Sequence, residues 1–149
     1  MKDRVARCFT TGLIAAVGLF SWMPTAGAVG LAKLRCEDRT DPLGIDAAKP
    51  RLSWVIEDAG LRTEDRGQRQ TAYRVLVASA EALLKKDQGD VWDSGKVASD
   101  QSIQVEYAGQ PLESRMSCHW KVRVWLADGK PSAWSAPAQW CMGLLQPGD

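Results

Sequence analysis

Histidine occurs once in the 149 residues, at His119. A nucleophile activated by imidazole therefore has one candidate base, and an imidazole-rich metal centre has none. Charge of one sign is also missing. The chain carries 19 Lys and Arg against 18 Asp and Glu, so no partnership with nucleic acid or anionic lipid is expected. The four cysteines, Cys8, Cys36, Cys118 and Cys141, lack the short paired spacing of a zinc site. There is no internal repeat, no low-complexity tract and nothing that asks for a cofactor.

What is present begins with a leader. Lys2, Arg4 and Arg7 precede an apolar run from Cys8 to Met23, and Ala26-Gly27-Ala28 supplies the small residues a signal peptidase needs. The run is interrupted by Thr10, Thr11, Gly12, Gly18 and Ser21 and is short for a membrane span. Residues 1–28 read as a signal peptide, with a retained anchor as the alternative. Export to the periplasm or medium follows, with no membrane attachment after cleavage. Setting Lys2, Arg4, Arg7 and Asp3 aside leaves residues 29–149 with a net charge near −1. That length is one domain.

Period-two alternation dominates the rest. Leu52, Trp54 and Ile56 alternate with Ser53, Val55 and Glu57, and Tyr73, Val75 and Val77 with Arg74, Leu76 and Ala78. Further strands are expected at Leu31–Cys36, Val91-Trp92, Ile103–Tyr107, 118–126 and Ala136–Met142. Trp120-Lys121-Val122-Arg123-Val124-Trp125, the turn at Asp128-Gly129 and Ser132-Ala133-Trp134-Ser135 read as a closing hairpin. Ser79–Lys86 reads as a short helix capped by Ser79. Asp58–Gln70 is charged and reads as a loop. Seven short strands and one helix point to an all-β sandwich of fibronectin type III or immunoglobulin type.

Chemistry-bearing residues are scattered. On a strand His119 points away from Cys118, so the two form no dyad. Asp93, Asp100, Glu106 and Asp128 read as turn and surface acids, not as the carboxylate pair of a glycosidase, about 6.5–9.5 Å apart in inverting enzymes. No catalytic, cofactor or metal residue is expected. Parity places Cys118 with Trp120, Val122 and Val124, and Ala136, Ala138, Trp140 and Met142 on an apolar face that leaves Cys141 on the other. A Cys36–Cys118 bridge stays open. Trp54, Trp120 and Trp140 have core parity; Trp92 and Trp125 do not clearly.

In chain order, Leu34-Arg35-Cys36-Glu37, Asp41-Pro42-Leu43-Gly44-Ile45-Asp46, Pro50-Arg51-Leu52-Ser53-Trp54, Arg66–Ser79, Trp92-Asp93-Ser94-Gly95-Lys96-Val97, Trp120–Trp125 and Ser132–Ser135 form a specific set. This set resembles the N-terminal fibronectin-like domain of bacterial α-L-rhamnosidases over about residues 31–145. Those enzymes are inverting glycoside hydrolases whose catalytic carboxylates lie in a barrel further along the chain. The resemblance implies a module at 29–145, followed at 146–149 by the start of a linker, with no catalytic residue to carry over. It also implies aromatic residues where Cys118 and His119 stand here.

Three readings follow. One is a non-catalytic accessory module, truncated or fragmentary, whose partners are the downstream domains of a rhamnosidase. Another is a stand-alone periplasmic carbohydrate-binding module. The last is a piece of a longer, active hydrolase. Trp92 and Trp125 are candidates for a sugar-stacking or domain-packing surface, with domain packing favoured. Trp134 is expected to lie across Arg123, with Lys121 or Arg74 beside it, as a structural brace.

Overall fold

The computed structural model describes residues 29–57, 69–146 and 148. The leader expected at 1–28, the charged loop as far as residue 68, and residues 147 and 149 of the expected linker lie outside them.

Alternating side chains produce seven strands in two antiparallel sheets. These are β1 (Gly30–Cys36), β2 (Arg51–Glu57), β3 (Gln70–Ala78), β4 (Trp92–Asp93), β5 (Val105–Glu106), β6 (Ser117–Leu126) and β7 (Ala138–Cys141), with one helix, α1 (Glu81–Leu84), after β3. One sheet runs β1-β2-β5 and the other β4-β3-β6-β7. Successive strands change sheets three times, at β2–β3, β4–β5 and β5–β6, so the two sheets are woven into one sandwich of immunoglobulin type.

The register of β3 on β6 shows why the sequence selects this pairing. Tyr73 faces Val124, Val75 faces Val122 and Val77 faces Trp120. Directly opposed side chains share a sheet face, so three β-branched and aromatic pairs enter the interior together. Leu52 and Trp54 come from the facing sheet. Trp54, Trp120 and Trp140 are each at most 1% exposed. Edge-to-face contacts link Trp54 to Tyr73 at 5.3 Å, Trp92 to Tyr107 at 5.2 Å and Tyr107 to Trp140 at 6.2 Å. The Tyr107 hydroxyl donates to the Gln110 carbonyl at 2.6 Å, which satisfies the one polar atom of a buried ring.

Several local expectations are corrected. The strand expected at Ile103–Tyr107 shrinks to Val105–Glu106, because Gln104 takes a left-handed φ of 53° and turns Ile103 outward. Gln70 is a buried strand residue, not the end of a loop. Ser79 does not cap α1. Its amide and hydroxyl donate to the Asp90 carboxylate at 2.9 and 2.6 Å, and Ala80 occupies the cap without a side-chain bond. A short acidic side chain across the turn competes better for Ser79 than the helix amides do. The final strand spans Ala138–Cys141, not Ala136–Met142. Ala136 is exposed and Ser135 is buried instead, its hydroxyl accepting from the Val122 amide at 3.1 Å.

β3 differs from a half-exposed strand in another way. Leu76 and Ala78, on its outer side, are buried with Leu84 of α1, and Trp134 and Leu83 pack against them. The four-stranded sheet thus carries a second, thin apolar layer outside the main core.

Candidate functional site

The tryptophans expected to form a surface do not share one. Trp92 sits beside Val77 in the β3–β4 register and packs half-buried against the main core, in an edge-to-face contact with Tyr107. Trp125 pairs with Ala72 near the other end of β3, and Lys96 Nζ lies 4.7 Å from its ring centroid. One ring belongs to the interior and the other is half-covered by a lysine. A sugar needs a free, flat aromatic face, and this pair does not provide a joint platform.

Trp134 does converge with other side chains. Arg123 Cζ lies 4.4 Å from its ring centroid and Lys121 Nζ 4.7 Å. Both cations project from the outer side of β6, because Val122 and Val124 project inward. Arg123 Nε is buried with no hydrogen-bond partner among the described residues, and the ring face takes the place of an acceptor. Lys121 is 7% exposed. Its ammonium donates to the Leu84 carbonyl at 2.5 Å and makes an ion pair with Asp87. That contact ties the end of α1 to β6. Asp87 itself, three residues past the end of α1, holds a left-handed φ of 56°. Arg74, offered as another partner of Trp134, turns instead to Asp93, with bonds of 2.9 and 2.6 Å.

A hollow of about 180 Å³ opens beside this brace, lined by Leu84, Lys85, Trp134 and Pro137 among others. It continues the thin apolar layer. Its acid, Glu81, pairs with Lys85 at 3.1 Å.

The acids proposed as turn and surface groups are placed as follows. Asp93 is held by Arg74 and by the Gly95 amide, and the Arg74 hydrogen bond draws its carboxyl below the usual range. The Lys121 hydrogen bond does the same for Asp87, and the Arg51 hydrogen bond for Glu37. A glycosidic general acid needs the opposite shift, upward toward neutrality. Glu106 pairs with Lys49 at 3.4 Å, Asp128 accepts from the Lys130 amide at 2.9 Å, and Asp100 is exposed. Among the described residues no group of three or more His, Cys, Asp and Glu side chains could hold a metal ion.

Cys36, Cys118 and Cys141 are free thiols. Burial, with smaller contributions from Glu37 and Cys118, pushes Cys36 up to about 12; burial, then Cys141 and Asp90, pushes Cys118 up to about 12. Both stay protonated and unreactive at neutral pH. Cys141 faces away from Cys118, beside Ser117 in the β6–β7 register.

Sequence reading missed Gln70. Its Oε1 accepts from Trp54 Nε1 at 3.0 Å, and its Nε2 donates to the carbonyls of Ser99 and Gln101 at 3.1 and 2.7 Å. One side chain joins the central tryptophan to the segment that crosses between the sheets. Its only signal was position, directly before an alternating run.

Residues 31–146 match the family model described as Rha78A-like, N-terminal immunoglobulin domain. The chain belongs to this family. It is 55% identical over 104 residues to an α-L-rhamnosidase of Streptomyces avermitilis, covering 70% of this chain and 9% of that protein. To an α-L-rhamnosidase of Formosa agariphila it is 37% identical over 113 residues, 76% of this chain and 11% of the relative. Among solved structures, the Streptomyces avermitilis α-L-rhamnosidase complexed with L-rhamnose superposes with a TM-score of 0.71 at 50% identity, over 79% of this chain and 11% of that one. The enzyme from Dictyoglumus thermophilum gives 0.72 at 34% identity, over 78% and 12%. The family member therefore spans about a tenth of the length of the relatives it matches.

Proposed function

We propose that this chain serves as the non-catalytic N-terminal module of a secreted α-L-rhamnosidase-like protein and supports the domains that follow it in such proteins. One observation carries the reading: a single immunoglobulin-type unit matches about a tenth of each relative, while the acids within it that shift do so downward, against acid catalysis. Export is part of the proposal. It rests on the basic start, the apolar run and Ala26-Gly27-Ala28.

One preparation tests both parts. Protein recovered from the periplasm or medium of an expressing bacterium should have the intact mass of a chain starting at Val29, and it should release no nitrophenol from a nitrophenyl α-L-rhamnoside above a vector control. Retention of residues 1–28 would remove the export reading. Nitrophenol release would make this chain an enzyme by itself.

A further inference from the structure

The outer side of the three-stranded sheet brings apolar and basic side chains together. Val55 on β2 is 43% exposed and Ile103, just before β5, is 66% exposed. Lys33 and Arg35 project from β1 beside them. Together with Ser53 they line a hollow of about 240 Å³, with Asp38 the one acid among the described residues that line it. Neither Lys33 nor Arg35 forms an ion pair or side-chain hydrogen bond among the described residues.

The backbone holds this arrangement in place. A register shift interrupts β1 between Ala32 and Arg35, and Lys33 takes a left-handed φ of 50°. Left-handed geometry is unfavourable for a lysine, and bulges re-aim side chains. Across the hollow, Gln104 is left-handed too, and its amide donates to Ser53 Oγ at 2.9 Å. The Gln101 side chain donates to the carbonyls of Ile103 and Gln104 at 3.1 and 3.2 Å. Ile103 is thus displayed by a pinned turn rather than left over at the end of a loose one. Strained backbone persists where surrounding contacts over-determine it, and such positions cluster at binding surfaces.

The chemistry of a partner follows. Two aliphatic side chains ask for an apolar contact, and two cations without an ion pair among the described residues ask for carboxylates. A sugar ring would instead ask for an aromatic face, and the aromatic among the described residues at the hollow, Trp54, is 1% exposed. We propose that this face docks an adjoining folded domain, through a protein surface that presents apolar side chains bordered by Asp and Glu. The proposal rests on the reading of the chain as an N-terminal module, and it names the side of the module that meets its neighbour.

The test transplants residues 31–146 into the Streptomyces avermitilis α-L-rhamnosidase in place of the matched segment. Two altered forms carry Lys33→Glu with Arg35→Glu, or Val55→Asp with Ile103→Asp. The same substitutions are made in the isolated chain. Expected is an unchanged melting midpoint for the isolated chain and a roughly fivefold or greater rise in the rate of proteolytic release of the module from the chimera, because release tracks the undocked population. Equal release from altered and unaltered chimeras overturns the proposal. If one pair lowers the midpoint of the isolated chain, the other pair decides. Binding of polygalacturonate by the isolated chain, lost with Lys33→Glu and Arg35→Glu, would also overturn it in favour of an acidic glycan. An unaltered chimera that lacks the parent's activity and stability counts against the module reading itself, which separates the two failures.

Discussion

Trp54 and Trp134 mark two layers of this molecule that are held together by different physics. Trp54 lies between the sheets, 1% exposed, with its indole nitrogen bonded to Gln70 and its ring against Tyr73. Trp134 lies outside the four-stranded sheet, half-buried, with Arg123 and Lys121 over its ring. The inner layer depends on removing apolar surface from water and on complete hydrogen bonding of the few polar atoms taken inside. The outer layer adds two cations over a ring and an ion pair with Asp87 to a thin covered apolar strip. A tryptophan therefore says little by itself; the neighbours its strand or loop supplies decide which role it has.

The largest expected difference is in truncation. Trp54→Ala should cost about 3–5 kcal/mol, as removal of a buried aromatic does. Against a total of about 5–15 kcal/mol for a single domain, that sharply lowers or abolishes the thermal transition. An unchanged melting curve would contradict the placement of Trp54 in the core.

Gln70→Leu should come next. The substitution keeps bulk but leaves Trp54 Nε1 and two carbonyls without a partner, at a cost of about 1–3 kcal/mol. Urea unfolding should show a lower midpoint with an unaltered slope. A neutral result would mean that the inner layer tolerates an unpaired indole, and would weaken the contrast with the outer layer.

Trp134→Ala should cost less, about 0.5–2 kcal/mol, because cation–ring contacts and stem burial near solvent are worth that much. A loss as large as that of Trp54→Ala, by the same urea titration, would show that the layer of Leu76, Ala78 and Leu84 is part of the main core.

The pH response separates the layers in another way, with a small change at the acid end and a larger one at the alkaline end. Asp87 and Asp93 have carboxyls held below their ordinary value of about 3.9 by hydrogen bonds from Lys121 and Arg74. Their contribution is present above that value and is lost as pH falls through and below it. These acids are well exposed, so the change is at most a few tenths of a kcal/mol. In the inner layer, Cys36 and Cys118 are pushed up to about 12. The unfolded chain ionises its thiols from about pH 8.5, so stability falls as pH rises from there toward 12. Thermal midpoints across pH 3–11 should fall at both ends. The alkaline fall should diminish in Cys118→Ala relative to that variant's own midpoint at pH 7, and should not change in Trp134→Ala.

Much of the architecture was legible in the residues. Alternation at 52–56, 73–77 and 118–126 named the strands that form the core, because a pleated strand cannot bury both parities without a second cover. The parity of Cys118 and Cys141 likewise assigned them to opposite faces. The ordered motifs from Leu34 to Ser135 named the family. Where reading failed, the deciding contact lay far away in sequence. Ser79 binds Asp90 rather than the helix amides, Arg74 meets Asp93 rather than Trp134, and Gln70 finds Trp54 only because the two sheets close over it. One signal was available and unused: Ala72, Leu76 and Ala78 are apolar at positions expected to face out or to be neutral, which foretells a covered outer face.

Sequence by itself determined the strand set, the sandwich and its family, because hydrophobic periodicity and turn residues act locally and repeat along the chain. Only the tertiary structure decided which tryptophans are core, brace or half-covered surface, which acids are neutralised by which cations, and that Lys33, Arg35, Val55 and Ile103 come together on one open face. Those outcomes depend on distances between residues up to 70 positions apart, and no local pattern encodes a distance that only the packing of two sheets sets.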